Sequence, residues 1–250
     1  MNILKKLAAA ALTGAVLISS GCLGFGSTEG LTPNPIYSYD YSTMKLVQLE
    51  EPAEGSPVAV IETTAGTIKA VLYPQYAPNT VSNFVNRAKE GFYNGKDIYC
   101  VIDKSIFMAG AADENRNTGL TEDGELIANE YSVDLWPFKG ALCSYNGHSG
   151  YGDSRFMVLN ERELSEEDIS TLRELKNKNE EKLLPDTLVD AFVEYGVVID
   201  FTGAYTVFAQ TFEGMDIIEK ICSVPVSGEL SMPVDPIYIN SITITEYHKA

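Results

Sequence analysis

The chain has 250 residues, 45% of them hydrophobic and 21% charged, a composition that supports a packed core and argues against a disordered chain. Its 18 Lys and Arg face 35 Asp and Glu, a formal net charge of −17. That balance speaks against nucleic acid as a partner, since phosphate contacts need basic patches. Two His and four Cys, without CxxC or HExxH spacing, give no basis for a metal site.

Lys5 and Lys6 precede an apolar run from Leu7 to Ile18, too short for a permanent membrane span and ordered like a signal peptide. The run ends in Ser19-Ser20-Gly21-Cys22, which resembles the lipobox of bacterial lipoproteins, with Ser19 where Leu is usual. The expectation is a signal peptide over 1–21, a lipid on Cys22, and a protein held at the extracytoplasmic face of the cell membrane by acyl chains rather than by charge. Residues 22–56, rich in Gly, Ser, Thr, Pro and Glu, read as a tether. Cys100, Cys143 and Cys222 read as small buried residues, with one disulfide as the alternative.

The folded domain is expected over 57–250. Val58–Glu62 and Thr67–Leu72 are β-branched runs joined through Ala65-Gly66, and the pattern predicts an opening hairpin. After Tyr73-Pro74, the residues Val81, Phe84, Val85 and Ala88 share one helical face, and Gly91 is placed to end that helix. Strand-like runs follow at Ile98–Ile102, Ile106–Ala109, Gly140–Ser144, Arg155–Leu159 and Tyr205–Gln210. Between the last two, about 161–199 reads as a helical insertion. Ser165 and Asp168 cap a charged helix running to about Leu184, and a short helix carries Leu188, Ala191, Phe192 and Tyr195. A helix with Met215, Ile218 and Cys222 on one face and a strand at Ile237–Thr245 close the chain. Many strands with two framework helices predict a mostly β, antiparallel closed barrel capped by helices.

These segments carry a resemblance. Leu72-Tyr-Pro-x-x-Ala-Pro-x-Thr-Val-x-Asn-Phe84, Gly91-Phe-Tyr-x-Gly95, Phe107-Met108 with Asp113, Gly140-Ala-Leu-x-x-x-Asn146, Asp153-Ser-Arg-Phe156, Gly203-x-x-Thr-Val-Phe208 and Glu213-Gly-Met-Asp216 resemble, in order, the motifs of cyclophilins. The likeness spans about Val58 to Tyr247. It implies an eight-stranded antiparallel barrel with a helix at each end. It also implies peptidyl-prolyl cis-trans isomerisation without cofactor or metal, on proline-containing polypeptides. The X-Pro bond resists rotation by about 18–20 kcal/mol. Family members lower that barrier by aiming an arginine at the prolyl nitrogen above an apolar pocket.

By this resemblance Phe107, Met108, Asn146, Phe156, Met157, Phe201 and Tyr205 bind substrate, with Met157 in place of a Phe and Tyr205 in place of a His. The family's Phe-His-Arg-Val-Ile reads Ile98-Tyr99-Cys100-Val101-Ile102 here, so Cys100 stands at the position of the catalytic arginine. A thiol offers one weak donor and no positive charge. Arg155, at a family glutamine position, is the candidate replacement. Its side chain either enters the pocket or pairs with Asp153. The expected function is a surface-anchored isomerase with an altered site that assists the folding of secreted proteins. The alternative is a non-catalytic module that binds proline-containing peptides or an envelope partner.

Overall fold

The structure, a computed structural model, describes residues 35–147, 149–177 and 179–249; the expected signal peptide and the Cys22 lipid site lie outside them. Strands β1 (Pro57–Thr63) and β2 (Gly66–Leu72) form the expected hairpin, with Ile61 opposite Ile68. Its turn is tied by Thr63, whose Oγ1 accepts from the N–H groups of Ala65 and Gly66 and donates to the Gly66 carbonyl. Helix α1 (Pro78–Lys89) starts with Pro at its first position, and its N-cap, Ala77, makes no side-chain cap. The cap comes instead from Glu130, whose carboxylate accepts from the N–H groups of Asn79 and Thr80 at 3.0 and 2.8 Å.

Strands β3 (Cys100–Ile102), β4 (Ile106–Ala109), β5 (Ile127–Ala128), β6 (Ala141–Ser144), β7 (Tyr151–Gly152) and β8 (Phe156–Leu159) follow. Next come α2 (Glu166–Glu174), α3 (Asp186–Tyr195), β9 (Val207–Glu213), α4 (Met215–Ile221), β10 (Val226–Ser227), β11 (Met232–Pro233) and β12 (Ile239–Glu246). Eight of these strands form one curled antiparallel sheet in the order β12-β1-β2-β9-β6-β8-β4-β3. Class and strand number are as expected. The closure expected of a barrel is limited to backbone bonds between the segments leading into the edge strands: Gly95 to Ile239, Ile239 to Lys96 and Ile98 to Ile237, at 2.7–2.8 Å. The pairs β5–β7 and β10–β11 are separate two-stranded ribbons.

Strand alternation sorts the core onto two faces of the sheet. One, covered by α1 and α4, gathers Ile61, Ile68, Leu72, Phe84, Phe107, Phe156, Phe208 and Ile218. The opposite face gathers Val71, Tyr99, Cys100, Met108, Cys143, Met157, Phe201 and Tyr205. A third cluster joins α3 to the rest through Trp136, Phe138, Leu188 and Phe192. The insertion therefore sits between β8 and β9 and shares its core with residues outside it.

Two expectations need correction here. The charged helix ends at Glu174, not near Leu184. Leu175 leaves the helix with ψ 129°, and the Asn177 side chain accepts from the N–H groups of Asn179 and Glu181, forming a local turn that competes with helix. The chain reverses so that Leu183 and Leu184 reach the third cluster. Second, the described part of the expected tether is not an extended spacer. Three 3₁₀ turns at Pro35–Tyr37, Tyr41–Thr43 and Val47–Leu49 lay Ile36, Tyr37, Tyr39, Tyr41, Met44 and Leu49 against the third cluster.

Candidate functional site

Register places the expected site residues precisely. Cys100 pairs with Met108, Met108 with Met157, Met157 with Cys143, and Cys143 with Val207. These five side chains form one row across β3, β4, β8, β6 and β9 on the face away from α1 and α4. Phe201 and Tyr205 complete that cluster, their rings 4.6 Å apart. Phe107 and Phe156, one residue out of phase, turn to the other face, where Phe156 meets Phe84 edge-on at 5.5 Å. The structure thus brings together Cys100, Met108, Met157, Phe201 and Tyr205, and sends the two phenylalanines into the core beneath them.

Asn146 is buried, and its side chain donates to the carbonyl of Ala204 at 2.8 Å and to Asn129 Oδ1 at 3.2 Å. It fastens the segment that carries Tyr205 to the segment after β5. Cys100 is buried as expected, but for this cysteine the alternative of a disulfide replaces the free thiol. Cys100 is disulfide-bonded, whereas Cys143 and Cys222 are free. Burial pushes the Cys222 thiol up to about 12 and Cys143 higher still, so neither is nucleophilic near neutral pH.

Arg155 is held by a tight set of acceptors. Its Nε donates to both oxygens of Asp153, at 3.0 and 3.1 Å, and Nη2 donates to Asp153 Oδ2 at 2.6 Å. Nη1 donates to the carbonyls of Asn117 and Arg116, at 2.7 and 3.3 Å. The guanidinium lies 4.8 Å from the centre of the Tyr145 ring. One Nη2 hydrogen remains without an acceptor among the described residues. Burial works against the charge, but the hydrogen bonds and charge of Asp153 outweigh it and raise the Arg155 pKa. Beside it, burial pushes the Tyr99 phenol far up, and its hydroxyl has no hydrogen-bond partner among the described residues. The pairing with Asp153 is thus the geometry observed, with the guanidinium over Tyr145 rather than above Phe107.

The sequence reading overlooked what covers this face. Val47 packs on the cluster containing Met108, Phe201 and Tyr205. A cleft with only about 10 Å³ of free space separates Phe201, Tyr205 and Val207 from Tyr39, Tyr131, Leu135 and Trp136. Buried Gln48 sews the cover down: it accepts from the Trp136 N–H at 2.5 Å and donates to the Trp136 carbonyl and to Gln210 Oε1 at 2.9 and 2.8 Å. Tyr37, Tyr39 and Tyr41 on alternate positions were the available signal, because a solvated tether has no use for closely spaced aromatics.

An eight-stranded curled sheet with two helices against one face and a cluster holding Tyr99, Phe201 and Tyr205 on the other defines a cyclophilin-like architecture. The family model described as cyclophilin type peptidyl-prolyl cis-trans isomerase/CLD matches residues 58–244. The chain belongs to that family. It is 32% identical over 200 residues to a candidate peptidyl-prolyl cis-trans isomerase of Staphylococcus saprophyticus, covering 80% of this chain and 98% of the relative. A Staphylococcus aureus relative of the same description is 28% identical over 197 residues, covering 79% and 96%. Among solved structures, a cyclophilin-type isomerase of Cryptosporidium parvum superposes with TM-score 0.58 at 16% identity, covering 78% of this chain and 99% of its own. The same protein solved in the presence of the dipeptide Ala-Pro gives 0.57, also at 16% identity, covering 77% and 99%.

Proposed function

We propose that this protein is a slow peptidyl-prolyl isomerase, anchored at the outer face of the cell membrane, that assists the folding of secreted proteins through a rebuilt active site. The observation that carries the reading is Arg155: a guanidinium over the Tyr145 ring that interacts with Tyr99, the neighbour of Cys100, and keeps one Nη2 hydrogen without an acceptor among the described residues. Asp153 and the carbonyls of Arg116 and Asn117 fix its orientation before substrate arrives, which is how a donor aimed at a prolyl nitrogen gains strength without reorganisation. Such a bond favours the pyramidal nitrogen of the twisted peptide over the planar ground state. The family's ordinary arrangement is lost at Cys100, and removing one such donor costs about 10²–10³ in rate, so slow turnover is the expectation. The cyclophilin solved with Ala-Pro supports a proline-containing peptide as ligand.

A second reading, a binding module without turnover, draws on how fully Arg155 is occupied by Asp153. Proton-exchange NMR of the full chain with a set of X-Pro peptides separates the two, since it detects slow interconversion directly. Exchange broadening above the uncatalysed rate supports the isomerase; saturable binding without it leaves the module. Anchoring rests on the basic, apolar, small-residue order that ends at Cys22. Cys22→Ala should release the protein from membranes and remove the lipid mass. A thioether and a disulfide cannot share one sulfur, and Cys143 and Cys222 are free, so a lipid on Cys22 requires Cys100 to pair with a thiol from another molecule; a Cys22–Cys100 peptide in a non-reduced digest would overturn the anchor.

A further inference from the structure

We propose that residues 35–49 form a built-in strap that closes the peptide groove, and that a proline-containing peptide binds only when the strap lifts. This rests on the family reading of Phe201 and Tyr205 as substrate-binding residues. Both are buried, at 2% and 3% exposure, and the cleft in front of them has room for about one water molecule. A pyrrolidine ring cannot enter that space while Tyr39 of the strap, and Trp136, which the strap holds through Gln48 and Tyr41, form part of its far wall.

The strap is the movable part. It lies before the family match, which begins at residue 58, so the family fold does not depend on it. Besides the apolar packing of Ile36, Tyr39, Met44 and Leu49 on the third cluster, its hold has few polar attachments. Lys45 N–H donates to Asp134 Oδ1 at 2.6 Å. Gln48 makes the three bonds to Trp136 and Gln210 described above. Tyr41 stacks on Trp136 with ring centres 6.2 Å apart. Both polar attachments reach the 133–137 segment or β9, so cutting them frees the strap without touching Met108, Met157 or Arg155. Short 3₁₀ turns in place of a long helix or a sheet strand make local opening inexpensive relative to global unfolding. An equilibrium between closed and open forms lowers the apparent affinity by the fraction that is open.

The test uses the full chain, with Gln48→Ala and Asp134→Ala made separately. The probes are a tetrapeptide with a central Ala-Pro bond and the same peptide with Ala in place of Pro. Amide hydrogen exchange over 35–49 reports the strap, and far-ultraviolet circular dichroism reports folding. Both variants should exchange faster over 35–49 and bind the Ala-Pro peptide about tenfold more tightly than the parent, with no gain for the Ala-Ala control. Added Ala-Pro peptide should speed exchange over 35–49 in the parent. Faster exchange without tighter binding would overturn the strap, as would a peptide that slows exchange there, which would make the segment a wall of the site. Absence of peptide binding in every form would overturn it too. Tighter binding without isomerisation keeps the strap and defeats the isomerase reading, whereas equal isomerisation by parent and loosened variants defeats the strap alone. Should Gln48→Ala, a buried change, fail to fold, Asp134→Ala at a partly exposed position carries the test.

Discussion

At the scale of single residues, the surroundings of Arg155 are closely determined. Gly110 lies at φ +86°, and a Cβ there would stand 2.4 Å from the Ser154 carbonyl oxygen. Only glycine fits at 110, where β4 ends beside the segment that carries Arg155. The ion pair between Arg155 and Asp153 is well shielded, with side-chain exposures of 13% and 4%. Asp153→Ala would leave a half-buried guanidinium with two carbonyls and a ring, and should cost about 3 kcal/mol in urea unfolding. Arg155→Gln should cost less, because it removes the charge together with its need for a partner, yet it should abolish the isomerisation measured by proton-exchange NMR. A variant that turns over as the parent does would reduce Arg155 to a structural clamp for the 116–117 loop.

At the level of elements, the sequence was most legible where pattern and local chemistry coincide. The opening hairpin, α1 and the capping of α2 by Ser165 and Asp168 are as the residues indicate, with Asp168 N–H donating to Ser165 Oγ and Ser165 N–H donating back to Asp168. Ser165→Ala removes that reciprocal cap and should lower stability by about 1 kcal/mol. Chemical denaturation of the full chain checks this, and no change would mean that α2 is held by Leu172 and the third cluster alone. Legibility failed where the deciding contacts are remote in sequence. Nothing near Leu175 foretells that Leu183 and Leu184 will be wanted in a core built by Trp136 and Phe192. Nor does the composition of residues 35–49 reveal that Gln48 will bond to Trp136, 88 residues away. For the site, the resemblance identified the row through Met108 and Met157, because motif order survives divergence. It could not show that Phe107 and Phe156 face the opposite side of the sheet, which depends on register, or that Cys100 is oxidised.

Across the whole molecule, the distribution of buried ionisable groups sets the pH range in which the fold holds. Phenols of Tyr93, Tyr99 and Tyr205 and the thiols of Cys143 and Cys222 are all raised, in each case chiefly by burial. A raised pKa in a group that is neutral when protonated means that the folded state retains protons the unfolded chain releases. The stability these groups contribute is therefore complete below their unfolded values, about 8.5 for a thiol and 10 for a phenol. It is lost as pH rises from there toward the folded values, which for Cys222 is about 12. The thermal midpoint of the full chain should stay flat between about pH 7 and 8 and fall steadily above about pH 9. The net charge of −17 offers a rival cause, since self-repulsion among surface carboxylates also weakens a compact state. Salt separates the two: at about 0.5 M it screens exposed charges over a few ångströms but leaves buried ionisation almost untouched. A decline that persists in salt identifies the buried phenols and thiols as its source. A midpoint restored by salt would assign the loss to the acidic surface, and a midpoint unchanged to about pH 11 would show that these groups titrate in the unfolded chain as they do in the folded one.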